Sequence, residues 1–215
     1  MINFYSFAKH GTWILAHALG RVEVEGLENL PSKGGVILAP NHLHLADPPV
    51  LSAFLPRKIY FMVKQEAWDT PFVGLIPRWF EAFPVRRGEV DLNAYRQALR
   101  LLADGQVVGI FPEGHRSVDG RLHAGQPGAV VLAQRSGVPI VPVGIWGIKE
   151  VLTHPIVLRQ TIHLRVGQPF HPTLARRGQL QAAIDDLMAR IAALLPPERR
   201  SAPLLDRSGS SSPPA

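Results

Sequence analysis

Cysteine is absent from the 215-residue chain, which excludes disulfides, thiol nucleophiles and cysteine-ligated zinc. Long apolar runs are missing too. The chain is 46% hydrophobic with a mean hydropathy of +0.07, yet no uninterrupted stretch reaches the ~18 residues that a bilayer-crossing helix needs. No acidic residue precedes Glu23. Residues 1–19 also lack the basic start and small-residue cleavage site of a secretory signal. Aromatic residues make up 7% of the chain and do not interleave with basic ones, so no nucleic-acid surface is expected. What the chain has is positive charge, +6 net with a pI near 10.2. That balance favours an anionic partner such as a phospholipid, a phosphorylated cofactor or an acidic carrier. The length suits one domain with a full core.

Residues 4–19 read as an amphipathic helix, with Phe4, Phe7, Ala8, Gly11, Ile14, Leu15, Ala18 and Leu19 in one stripe at helical spacing. The stripe suits either packing on the domain or lying in a membrane interface. Short apolar or alternating runs predict strands at 22–25, 36–39, 59–63, 82–85, 107–111, 138–143 and 162–166. Helical spacing appears at 92–103, 129–136 and 179–195. This alternation predicts a single α/β domain with a mostly parallel central sheet flanked by helices. The divisions expected are an amphipathic helix at 1–20, the main domain at 21–197 and an Arg-, Ser- and Pro-rich disordered tail at 198–215.

Two motifs carry chemistry. In Asn41-His42-Leu43-His44-Leu45-Ala46-Asp47 a histidine follows a buried strand and a carboxylate stands five residues on. Pro48 after Asp47 marks Asp47 as a helix N-cap. A turn between them would let the acid reach the imidazole, giving an oriented general base. The plain alternative is that Asp47 only caps its helix. His42 and His44 could begin a metal cluster, but no second histidine pair follows at ligand spacing. In Phe111-Pro112-Glu113-Gly114-His115-Arg116-Ser117, Arg116 can grip a phosphate with both prongs of its guanidinium, and Glu113 could orient it or meet a substrate hydroxyl. A surface Glu–Arg pair is the bland alternative. Phe83 to Gly88 places Arg86 and Arg87 after another strand, and a second arginine there would close a clamp with Arg116. The prolines of Val138 to Val143 argue against a central ladder strand at both positions. That run is core or a greasy wall for an acyl chain.

These blocks resemble those of the glycerolipid acyltransferases. His42 and Asp47 fit the family's His-x4-Asp, Phe83 to Arg87 resembles its second block, Phe111 to Ser117 its third and Val138 to Val143 its fourth, in order over about residues 22–148. The resemblance implies a peripheral enzyme on the cytoplasmic face of a membrane. It would move an acyl group from acyl-CoA or acyl carrier protein to 1-acyl-glycerol-3-phosphate, without an acyl-enzyme or a further cofactor. It assigns His42 as base and Asp47 as its orienting acid, and gives acceptor binding to Arg87, Glu113 and Arg116, with Gly114 letting the backbone come close. Lys64 and Glu66 are outer candidates. Two departures bear on the acceptor: His115 stands where threonine is usual, and Gln126 where a lysine commonly precedes the glycine. They keep open another lyso-lipid acceptor, such as a lyso-aminolipid. A metal-dependent hydrolase and a non-catalytic membrane-binding protein are the readings from other classes.

Overall fold

The computed structural model describes residues 4–71, 74–86, 91–153, 160–173 and 179–200. In chain order the elements are α1 (Phe4–Leu19), β1 (Arg21–Glu25), β2 (Val36–Pro40), α2 (Asp47–Phe54), β3 (Ile59–Lys64), α3 (Gln65–Asp69), α4 (Leu75–Trp79), β4 (Phe83–Val85) and α5 (Leu92–Ala103). There follow β5 (Val107–Gly109), α6 (Gly128–Ser136), β6 (Ile140–Trp146), α7 (Ile148–Thr153), β7 (Thr161–Val166) and α8 (Leu180–Leu194). The strands form one sheet in the order β1-β7-β6-β2-β5-β3-β4. Every pairing is parallel except β6 with β7. The expected α/β domain with a mostly parallel sheet is therefore present.

β2 lies at the centre of this sheet, and Val36, Ile37, Leu38 and Ala39 are all fully buried. Both faces of a parallel sheet are covered, so such a strand reads as an unbroken apolar run. Val36 and Leu38 pack in the core layer with Val50, Leu51 and Leu55. Ile37 and Ala39 pack in the opposite layer, with Ala98 and Leu102 of α5, Leu132 of α6 and Leu187 of α8.

Pro142 lies inside β6, against expectation, opposite Ala39 of β2. Ile37 donates to the carbonyl of Pro139 and Asn41 to that of Val143, so odd-numbered residues of β6 make the bonds to β2. The missing N–H of Pro142 falls on the other side, beyond the β7 ladder, which begins at Val143 opposite Val166. There only its carbonyl is used, accepting from Gly167 at 2.9 Å. The run is core.

α1 forms over its expected span and packs by a face that shares only Ala8 and Leu19 with the stripe read in the sequence. Tyr5, Ala8 and Ala16 are buried, small alanines allow close approach, and Lys9 donates to the carbonyl of Leu55 at 2.9 Å. Phe4, Phe7, Ile14 and Leu15 stay exposed, as do Leu75, Ile76 and Trp79 on α4. The two helices meet through Tyr5, Ala8 and Phe80. The tail boundary also shifts. Pro197–Arg199 is a 3-10 turn, held by Leu122 donating to the carbonyl of Arg199 at 2.9 Å. Residues 198–200 thus belong to the folded body, and 201–215 lie outside the described residues.

Candidate active site

The site is built where β2 ends. Asn41 continues the strand with its side chain: Nδ2 donates to the carbonyl of Ile145 at 2.9 Å, and Oδ1 accepts the Ile145 N–H at 2.7 Å. An amide has the donor and acceptor to imitate one peptide unit, so β6 is gripped where β2 can no longer pair with it. The chain then turns through residues 41–46 into α2.

Asp47 is the first residue of α2 rather than its cap, which is Ala46. Its carboxylate serves the turn before the helix. Oδ2 accepts the N–H of Leu43 at 2.7 Å and of His44 at 2.8 Å, and lies 2.8 Å from His42 Nδ1. Asp47 is fully buried and His42 is 9% exposed. With Oδ2 accepting a hydrogen bond from Nδ1–H, the ring's lone pair is on Nε2. Phe111 stacks on the imidazole with centroids 3.9 Å apart and planes 21° from parallel, and Phe61 lies against Phe111 in turn. The ring is thus fixed by an acid at one edge and an aromatic face at its side.

His42 and Asp47 line a cavity of about 1030 Å³. Its lining includes the apolar Phe61, Met62, Val63, Ile76, Pro77 and Phe80, and the polar His115, Arg116, Ser117, Lys149 and Arg199. Arg116 is exposed and lines the cavity. Arg87 lies outside the described residues. The preceding Arg86 is tied to the N-terminus of α5, its N–H donating to Asp91 Oδ2 at 3.1 Å, while Asp91 caps that helix.

Glu113 departs from its expected place. It is fully buried, makes no bond to Arg116 and is absent from the cavity wall. Oε1 accepts the His42 N–H at 2.8 Å and Oε2 the His123 N–H at 2.9 Å. Burial pushes its carboxyl above the usual range, opposed by the N–H donors of His123 and His42. Gly114 is also off the wall. Its φ of +73° lets the loop turn, and an added Cβ would stand 3.2 Å from Gln126 Cγ. Lys64 reaches the cavity and pairs with Glu66 at 3.3 Å, both exposed.

Some parts were not read from the sequence. Ser117 N–H donates to the carbonyl of His42 at 2.8 Å, so the loop 111–117 holds the His42 peptide from both sides. Asp119 accepts from the Arg121 N–H, the Ser117 hydroxyl and His123 Nε2, which together lower its carboxyl to about 2. Arg199 crosses to the cavity and pairs with Glu150. The spacing of Asp119 and His123 was a local signal for one of these contacts. Backbone bonds and the return of Arg199 leave no pattern in a single sequence. Among the described residues no group of three or more acidic or histidine side chains could hold a metal ion. His44 Nδ1 instead accepts the Ala46 N–H at 3.1 Å.

An acyltransferase family model matches residues 21–146, which hold both the His42 and the Arg116 segments. A 1-acyl-sn-glycerol-3-phosphate acyltransferase of Bacillus subtilis is 30% identical over 193 residues, covering 87% of this chain and 94% of its own. The chloroplast 1-acyl-sn-glycerol-3-phosphate acyltransferase LPAT1 of Arabidopsis thaliana is 28% identical, over 80% of this chain and 50% of its own. The crystal structure of a 1-acyl-sn-glycerophosphate acyltransferase from Thermotoga maritima matches with a TM-score of 0.66 at 26% identity, covering 89% of this chain and 76% of that one. The chain belongs to the acyltransferase family. Its activity is accordingly O-acyl transfer.

Proposed function

We propose that the protein transfers a fatty acyl group from acyl-CoA or acyl carrier protein directly to the free hydroxyl of 1-acyl-glycerol-3-phosphate, giving phosphatidic acid. The observation that carries this reading is the His42–Asp47 pair, 2.8 Å apart, in a cavity lined both by apolar side chains and by Arg116. His42 Nε2 takes the proton of the acceptor hydroxyl as its oxygen attacks the thioester carbonyl. The C–S bond then breaks, and the imidazolium returns the proton to the leaving thiolate. Asp47 holds the tautomer and stabilises the cation between the two steps. Arg116, with Arg87, holds the acceptor phosphate, and the apolar lining residues receive acyl chain. No side chain is acylated, in keeping with a chain without cysteine.

Attachment to a membrane surface is part of the proposal. No described helix is long and apolar enough to cross a bilayer. Support comes from the exposed apolar residues of α1 and α4 and from the acid-free start of the chain, which suit shallow burial among anionic headgroups. On this reading the enzyme sits peripherally on the cytoplasmic face.

The test is acyl transfer from labelled acyl-CoA, and separately from acyl carrier protein, to lysophosphatidate and a panel of other lyso-lipids. Product from lysophosphatidate is expected. Product from another acceptor alone, a lyso-aminolipid for instance, would overturn the phosphate assignment.

A further inference from the structure

The Glu113 carboxylate is the least expected charge in the molecule. It is fully buried and has no cationic side chain as its bonding partner. Both of its oxygens are spent on backbone N–H groups, of His42 at 2.8 Å and of His123 at 2.9 Å. These two residues lie in different segments: His42 between β2 and α2, His123 on the far side of the loop that carries His115 and Arg116. The carboxylate is a strut between the base and the anion-binding loop. Ser117, four residues on, completes the grip by donating to the carbonyl of the same His42 at 2.8 Å. The N–H and C=O of His42 are therefore both committed to the loop 111–117, while its ring is held by Asp47 and Phe111.

We propose that Glu113 is a positioning residue for His42 and does not bind the acceptor. It sets where the imidazole stands relative to a substrate gripped by Arg116, so the distance from base to phosphate is fixed through one buried side chain. The two N–H donors suit a carboxyl group here. A carboxylate offers acceptors at both oxygens, whereas an amide would turn an NH2 group toward one of the two N–H donors. Desolvation opposes the charge and the two N–H bonds support it. Such a cost is kept where geometry has to be held closely. A misplacement of about 1 Å can reduce a rate by about 10²-fold.

The inference rests on the acyl-transfer reading, and one set of measurements separates the two. Wild type, Glu113→Gln and Arg116→Ala are compared for kcat and for acceptor KM, with folding followed by thermal melting. Wild type inactive with every acceptor and donor would sink the acyl-transfer reading itself. With wild type active, Glu113→Gln is expected to lose roughly tenfold or more in kcat with acceptor KM unchanged, and Arg116→Ala to raise acceptor KM. Glu113→Gln with a raised KM and an unaltered kcat would place the carboxylate on the acceptor, and wild-type kinetics would make the strut dispensable; either overturns the proposal. A measurement on wild type stands even if Glu113→Gln fails to fold. The His42 and His123 amide protons should stay protected from solvent exchange when lysophosphatidate saturates the enzyme. Loss of protection at either would mean that the carboxylate leaves them for the substrate, and would overturn the inference.

Discussion

Asp47 gathers three hydrogen bonds on one oxygen, two from backbone N–H groups and one with the His42 ring. It therefore shapes the turn and orients the base at once. His42→Ala should lower kcat by about 10²–10⁴-fold, the usual worth of a general base, and leave vesicle binding and melting near wild type. Near-full activity in a radiolabel assay would rule out the mechanism. A second prediction concerns Asp119, whose carboxyl is lowered to about 2 by the Arg121 N–H, the Ser117 hydroxyl and His123. A depressed acid contributes stability above its unfolded value, about 3.9, and loses it as pH falls through the folded value. The melting difference between wild type and Asp119→Asn should thus be constant above about pH 4 and close toward pH 2. A difference that persists at pH 2 would contradict this assignment. At this scale His42 and Asp47 were legible, because five-residue spacing and the proline after the acid dictate a turn. Glu113 was not. A sequence shows that an acid stands beside an arginine, and says nothing of which distant N–H groups the fold presents to it.

Helices and strands were largely legible from periodicity, and the faces they turn were less so. α1 illustrates the difference. The stripe read in the sequence suited either packing or a membrane interface, and the packed face is made by Tyr5, Ala8 and Ala16, with only Ala8 of these in the stripe. The large residues are left outside, Phe7 at 69%, Ile14 at 61% and Leu15 at 55% exposure. Their substitution should cost the fold little and the membrane contact much. Phe7→Gln with Leu15→Gln should reduce co-sedimentation with phosphatidylglycerol-containing vesicles by about tenfold or more, since burying each side chain is worth about 1.5–3 kcal/mol. Unaltered partitioning, with melting also unaltered, would remove α1 from the membrane surface. Pro142 was misjudged for a related reason: a proline excludes only one hydrogen bond, and its cost depends on whether a neighbour is there to need it.

Among the described residues, the candidate site and the Arg57 tie lie at opposite ends of the sheet. His42 follows the C-terminal end of β2, where open α/β sheets place ligands. At the other end Arg57 donates to the carbonyls of Pro31 at 2.8 Å, Gly34 at 2.8 Å and Gly105 at 2.5 Å. It thereby ties together the starts of β2, β3 and β5. Arg57→Ala should lower unfolding free energy by about 1–3 kcal/mol, read by denaturant titration, with acceptor KM unchanged. A changed KM and an unchanged midpoint would reverse the division proposed here.

The edge strand β1 pairs with β7 alone, Arg21 opposite Thr161. During synthesis β1 must wait for β7, its only neighbour among the described strands. Through most of synthesis β1 has no neighbour, and contacts this distant in sequence form slowly. The edge of the sheet therefore closes only after the segment carrying His42 and Asp47 has been made.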